Sequence, residues 1–324
     1  MSKLAKLAGV ASIAALLSAC GGGSDSKLDT PNDNYIKPGD VSSTFIPFKD
    51  KDFLTKLKET LGFSESLNVM DDRFNQALGH MIGETLGDGP ITRTGRVIEL
   101  TDQGTSAFTI FRNLICTELT KSGTTQTIKL KSGNDSCATS FGKEVVTFKG
   151  GSISLTETLS STTVEFNNAL YTPWTDTSKL YLVTGKIVKD TVGSNGAIYS
   201  VKDPLKFQIV DKNNPSTTLE YMGLQDYEYR FFDEQLQSVS SKGTIVGQPK
   251  DANFSYAFNF SVTQPFEKES WRIYPKAGGK LEIIDEYNQK IVVEQTKDYS
   301  SSASVRFNSG VPTNVSWSDI VKKK

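Results

Sequence analysis

Acid–base and nucleophilic catalysis need side chains that exchange protons with one another, and this chain has few of them. It contains one histidine, His80. A single imidazole excludes histidine-rich metal sites, and any Ser-His-Asp arrangement would have to run through that residue. No Gly-x-Ser-x-Gly sequence is present to hold a serine on a strand-to-helix elbow. His80 falls off the apolar stripe of its segment, beside Arg73 and Gln76, and reads as a solvated side chain. Neighbouring carboxylates occur at Asp71/Asp72, Asp226/Glu228, Asp233/Glu234 and Asp285/Glu286. A glycoside hydrolase needs two carboxyl groups facing each other across a cleft, about 5–9.5 Å apart, whereas neighbours along a strand form a wet face.

Ligand loops fare no better. In "GETLGDGP", Gly83, Gly87 and Gly89 follow a helical stretch and lack the Gly-Lys-Ser/Thr ending of a phosphate loop. Asp29, Asp33 and Asp40 imitate parts of a calcium loop, but Pro31 occupies a ligand position and Asn34 replaces the required glycine. The expectation is a non-enzyme without metal or cofactor. The sharper candidates are aromatic. Trp174 in "YTPW", Trp271 with Tyr274 in "SWRIYP", and Trp317 in "SWSD" fall near strand ends or turns. An exposed indole there stacks on a sugar or anchors a protein partner; the competing reading is that each covers the end of a β core.

Cysteine chemistry supplies an address. Lys3 and Lys6 precede the uncharged apolar run Leu7–Leu17, and Ser18 and Ala19 then lead to Cys20. This is the layout of a secretory signal, too short for a stable membrane span. Leu17-Ser18-Ala19-Cys20 resembles the lipobox of bacterial lipoproteins at all four positions. The resemblance implies that the chain is cut before Cys20, whose thiol and new amine are acylated, so residues 1–19 are signal and the lipid bilayer is the first partner. Several acyl chains make such attachment effectively permanent. Residues 20–44 are polar and rich in glycine and proline, with little to bury, and read as a flexible tether. In enterobacterial lipoproteins an aspartate after the lipidated cysteine favours retention at the inner membrane. Gly21 stands there, so the resemblance implies the outer membrane. Cys-Gly-Gly-Gly-Ser is also similar to the start of some surface-exposed Gram-negative lipoproteins.

With Cys20 lipidated, Cys116 and Cys137 remain as an even pair. In an exported chain they read as a disulfide stapling a hairpin-like loop that turns at Lys121-Ser122-Gly123. The 324 residues carry a net charge of −1, with 36 basic and 37 acidic side chains. That balance offers no electrostatic footprint for nucleic acid.

These residues need a scaffold, and the pattern points to strands. Residues 45–90 read as helical: Phe53, Leu54, Leu57 and Leu61 share a face, and a second stripe runs through Leu67, Met70, Phe74, Ala77, Leu78, Met81 and Ile82. From Arg93 the period changes to two, and residues 91–324 read as one β domain. Alternation is clear in 163–166, 179–183, 206–210 and 226–231, and later in "FSYAFNFSV", "KLEIID", "KIVVEQ" and "ASVRF". Turn residues separate the runs at Gly193–Gly196, Asn213-Asn214-Pro215 and Gly278-Gly279. The fold expected is mainly β, an antiparallel meander with two N-terminal helices packed on it; alternation cannot choose among open curved sheet, barrel and sandwich. The final strands are loosely similar to those of β-rich Gram-negative lipoproteins, which implies fold alone. The functional expectation is a non-catalytic outer-membrane lipoprotein binding an envelope component or an extracellular protein or glycan. A periplasm-facing structural or assembly factor is the alternative, and an envelope hydrolase stands behind both.

Overall fold

The computed structural model describes residues 96–233, 236–248, 256–285 and 290–320. Cys20, residues 20–44 read as a tether, His80 and the two stretches of residues 45–90 expected to be helical and to pack on the sheet lie outside them. The described chain opens with helix α1 (Arg96–Phe111). The strands that follow are β1 (Thr117–Ser122), β2 (Thr125–Leu130), β3 (Cys137–Phe141), β4 (Glu144–Glu157), β5 (Ser161–Tyr171) and β6 (Leu180–Val192). Next come β7 (Gly196–Val201), β8 (Leu205–Val210), β9 (Thr218–Asp233), β10 (Gln237–Gln248) and β11 (Tyr256–Gln264). The last are β12 (Phe266–Lys268), β13 (Lys280–Asp285), β14 (Lys290–Glu294), β15 (Ser302–Phe307) and β16 (Thr313–Ser316), closed by the short α2 (Trp317–Ile320).

All sixteen strands belong to one antiparallel sheet, in the order expected of a meander. Three positions in it are filled by two short strands end to end. β2 and β3 share one side of β4, β7 and β8 lie together between β6 and β9, and β11 and β12 share one side of β10. Pro204 and Pro265 stand at the last two breaks, because proline has no N–H to give a ladder. The far part of the sheet curls. Phe266 on β12 meets Trp317, just beyond β16, edge-on at 5.9 Å. In a flat sheet, four strand positions at about 4.8 Å each would hold them roughly 19 Å apart.

The helix corrects the sequence reading, which placed strand from Arg93 onward. Val97, Leu100, Thr101, Gly104, Ala107, Phe108 and Phe111 are buried at three- and four-residue spacing, so the period is helical. The β-branched residues that suggest a strand are accommodated locally: Thr101, Thr105 and Thr109 each donate their hydroxyl to the carbonyl four residues back, at 2.7–2.9 Å. Among the described residues this is the one long helix packed on the sheet, against β4, β5 and β6. Gly104 sets the closeness of that contact. A Cβ there would fall 2.5 Å from Phe166 Cζ and 2.7 Å from Val164 Cγ1. At the helix C-terminus Thr117 donates its hydroxyl to the Phe111 and Leu114 carbonyls.

A buried ionic cluster pins the other end. Arg96, 4% exposed, donates to Glu99 at 2.7 Å and to Glu220 on β9 at 2.9 Å. Its guanidinium lies 4.4 Å from the Phe207 ring centroid. Tyr181 donates its hydroxyl to the other Glu99 oxygen at 2.7 Å. Burial, reinforced by the Glu99 charge, pushes the Tyr181 phenol far above its usual range, so it remains a donor. From this cluster one apolar core runs continuously along the sheet, through Phe166, Phe207, Tyr229, Ile245, Leu281 and Val293 to Trp317.

Candidate interaction surface

Two connections at the curled end of the sheet are built around one side chain. Gln295, directly after β14, is fully buried. Its Nε2 donates to the carbonyls of Lys297 at 2.7 Å, Ser300 at 3.1 Å and Pro275 at 3.3 Å. Its Oε1 accepts the indole N–H of Trp317 at 2.9 Å. A buried amide satisfied on both ends costs little and fixes every group it touches. Backbone bonds complete the brace: Gly278 donates to Gln295, Gln295 to Gly279, Tyr299 to Pro275, and Lys276 to Glu267. Gly279 lies against Phe266 so closely that a Cβ would fall 2.4 Å from its Cδ1.

This brace holds the segment 269–279 and presents "WRI" at its tip. Trp271 is 72% exposed and Ile273 is 71% exposed. Between them, Arg272 is clamped rather than free: its guanidinium sits 4.5 Å from the Tyr299 ring centroid, and Nε lies 3.6 Å from Glu269. Lys276 approaches the same carboxylate at 3.6 Å. The Tyr299 phenol is shifted upward by desolvation and by Glu269 beside it. Tyr299 takes a φ of 53°, a conformation that costs of order 1 kcal/mol outside glycine and persists only where its surroundings impose it. Single exposed apolar residues need no explanation. A tryptophan and an isoleucine flanking a stacked arginine, on a braced loop, have the composition of an interaction hot spot.

Trp174 lies on a second, smaller patch. It is 40% exposed and edge-on to Phe141 at 5.9 Å, with Val145 exposed on the adjoining β4. Its backbone N–H donates to Gln103 of α1, whose amide donates in turn to Thr175, so the patch is tied to the helix. Trp317 belongs to neither surface. It is 1% exposed and acts as the core cover that the sequence offered as the competing reading.

Cys116 and Cys137 form the expected disulfide, with Cα atoms 5.5 Å apart, closing the β1–β2 hairpin that turns at Gly123. Asp226 and Glu228 do not form an acid–base pair. Glu228 is bound by Arg230 at 2.7 Å and approached by Lys242 at 4.0 Å, and the Arg230 hydrogen bond holds its carboxyl below the ordinary range. Among the described residues no group of three His, Cys, Asp or Glu is placed to hold a metal ion. No described helix is long and apolar enough to cross a membrane, which says nothing of strands. Sequence reasoning missed Ile273, Phe141, Val145 and Gln295. The apolar–basic–apolar run "WRI" between Glu269 and Pro275 was a usable signal for the first; nothing local marks the others.

The class of protein these observations define is a single antiparallel sheet, covered by a helix and carrying braced, exposed aromatic loops. Compared with known proteins, the chain matches no family model, no curated protein and no solved structure.

Proposed function

We propose that this chain is a non-catalytic outer-membrane lipoprotein, anchored through acylated Cys20, whose β domain binds another envelope component or an extracellular ligand. The observation that carries the binding role is the Trp271–Arg272–Ile273 ridge, two exposed apolar side chains flanking a stacked arginine on a loop whose end at Pro275 is bonded to the buried Gln295 amide. Pre-organised aromatic and arginine side chains bind at a lower ordering cost than a loop that must first be fixed. Three features support the setting: the complete lipobox, the polar tether of residues 20–44, and a disulfide suited to an oxidising compartment.

The test combines anchoring and contact. The full chain, expressed in a Gram-negative host with labelled palmitate, is expected to incorporate label that Cys20→Ser abolishes. A photoreactive residue at position 270 is expected to crosslink one defined envelope or extracellular species. The pair Trp271→Ser with Ile273→Ser should remove that crosslink while shifting stability by no more than about 0.5 kcal/mol, as for exposed sites generally. Absence of label, or a crosslink indifferent to the pair, refutes the proposal. Protease shaving of intact against permeabilised cells then reports which face of the membrane the domain occupies.

A further inference from the structure

Away from the Trp271 ridge, β7, β9, β10 and β11 lie side by side around a cleft of 580 Å³, within the size range of small-ligand sites. Four polar residues form one row across these strands: Ser200 pairs with Glu228, Glu228 with Lys242, and Lys242 with Ser261. At about 4.8 Å per strand the row spans roughly 14 Å, the length of two to three sugar rings. Lys202, Asp226 and Asn259 complete the polar lining.

The cleft sits where the ladder is interrupted. Between the pairs Glu228–Lys242 and Gln225–Thr244, β9 carries two residues, Asp226 and Tyr227, against the single Gly243 of β10. Asp226 takes a φ of 49°, which aspartate tolerates better than most residues but which still strains the backbone. Gly243 has a φ of 149°, and a Cβ there would fall 2.8 Å from Tyr227 Cα. Bulges of this kind re-aim side chains and recur beside binding sites. An uninterrupted ladder would carry neither the strained aspartate nor the obligatory glycine.

The lining selects for ligand class. Two ammonium groups face two carboxylates, so neither an anion nor a cation is favoured as a whole. Glu228 is already engaged by Arg230 at 2.7 Å. Asp226 and Lys202 make no ion pair among the described residues, and with two serine hydroxyls and the Asn259 Nδ2, whose partner oxygen already accepts from Thr244 at 2.6 Å, they supply both acceptors and donors. Tyr227 and Phe260, edge-on at 6.0 Å, are buried in the core behind this row and back it from the other face of the sheet. Hydroxyl groups that both donate and accept, closely spaced on an uncharged molecule, match that mixture. We propose that this cleft binds a neutral saccharide of two or three rings. The proposal depends neither on the lipid anchor nor on the Trp271 ridge.

The test uses the full chain purified in a sugar-free detergent and ligand-observed saturation-transfer NMR. Lactose, maltose and N,N′-diacetylchitobiose are the neutral probes; N-acetylneuraminic acid and spermidine are the charged controls. At least one neutral disaccharide is expected to bind with a Kd of ~1 mM or below, equivalent to about 4 kcal/mol. Ser261→Tyr, which fills the cleft, and Asp226→Gly, which removes the carboxylate while relieving the backbone, should each weaken binding about tenfold or more. Asp226→Gly should melt at or above the parent temperature, separating a ligand role from a structural one. Trp271→Ser should leave saccharide binding unchanged. Silence from every neutral probe, preference for a charged control, or binding that survives both cleft variants overturns the proposal. So does binding lost only in Trp271→Ser, which would place the sugar on the ridge.

Discussion

Replacing Arg96 with alanine tests how α1 is held on the sheet. Arg96 is 4% exposed, and its guanidinium is bonded to Glu99 at 2.7 Å and Glu220 at 2.9 Å and lies 4.4 Å from the Phe207 ring centroid. The Glu220 side chain is only 11% exposed, so truncation withdraws a positive charge from a carboxylate that water barely reaches. Breaking a buried pair of this kind from one side costs about 3–5 kcal/mol. For a domain of this size, each kcal/mol lowers the melting temperature by about 2–4 °C, so the expected drop is roughly 6–20 °C. The assay is urea and thermal unfolding followed by far-ultraviolet circular dichroism, with Arg96→Met/Glu220→Leu measured beside the single variant. Removing both charges should recover most of the loss, because an apolar pair of similar volume has no desolvation cost to offset. An Arg96→Ala variant within about 1 kcal/mol of the parent would refute the reasoning. So would a double variant no more stable than the single one.

Three further outcomes follow from other contacts. Cys116→Ser/Cys137→Ser opens a bridge spanning a sequence separation of 21, and should lower unfolding free energy by about 3 kcal/mol in urea, with reductant then having no added effect. Gly104→Ala, which raises helix propensity at an exposed site, should here destabilise by about 1–3 kcal/mol, since the new methyl meets Phe166 at 2.5 Å and Val164 at 2.7 Å; unfolding midpoints against the parent decide it. Glu282 gives a pH dependence: partial burial raises its carboxyl pKa, but hydrogen bonds from Lys290 at 2.6 Å and Lys280 at 3.2 Å outweigh that and leave it below the ordinary range. A folded pKa below the unfolded one stabilises the protein above the unfolded value, and the contribution disappears as pH falls through the folded value. After solvent screening it amounts to less than about 1 kcal/mol, and Glu282→Gln should flatten the stability profile between about pH 5 and pH 3 by that amount.

The strands were legible because their signals are local. "KLEIID" is β13 residue for residue, and 206–210 falls within β8. Gly193 with Asn195-Gly196, and Asn213-Asn214-Pro215, mark the connections on either side of the β7–β8 pair. Alternation reports which side chains share a face of one strand, and turn residues report where the backbone must reverse; neither needs a distant neighbour. The disulfide was legible by counting, since the lipobox reading assigns Cys20 to lipid and leaves an even pair.

Other features required the neighbours. Arg96–Phe111 is rich in β-branched residues and reads locally as extended chain; it is helical because its three- and four-residue stripe lands on Val164 and Phe166, sixty residues away. The run at 226–231 alternates as read, but the bulge at Asp226 and Gly243 comes from the register between β9 and β10, which neither strand contains alone. The three tryptophans sit in similar polar, turn-rich contexts, yet one is buried, one half covered and one exposed. Which is which depends on Gln295 reaching the Trp317 indole and on the sheet curling to bring Phe266 beside it. By itself the sequence determined the strand periods, the turns and the cysteine pair. The tertiary structure alone decided exposure, because burial is a relation between elements far apart in the chain.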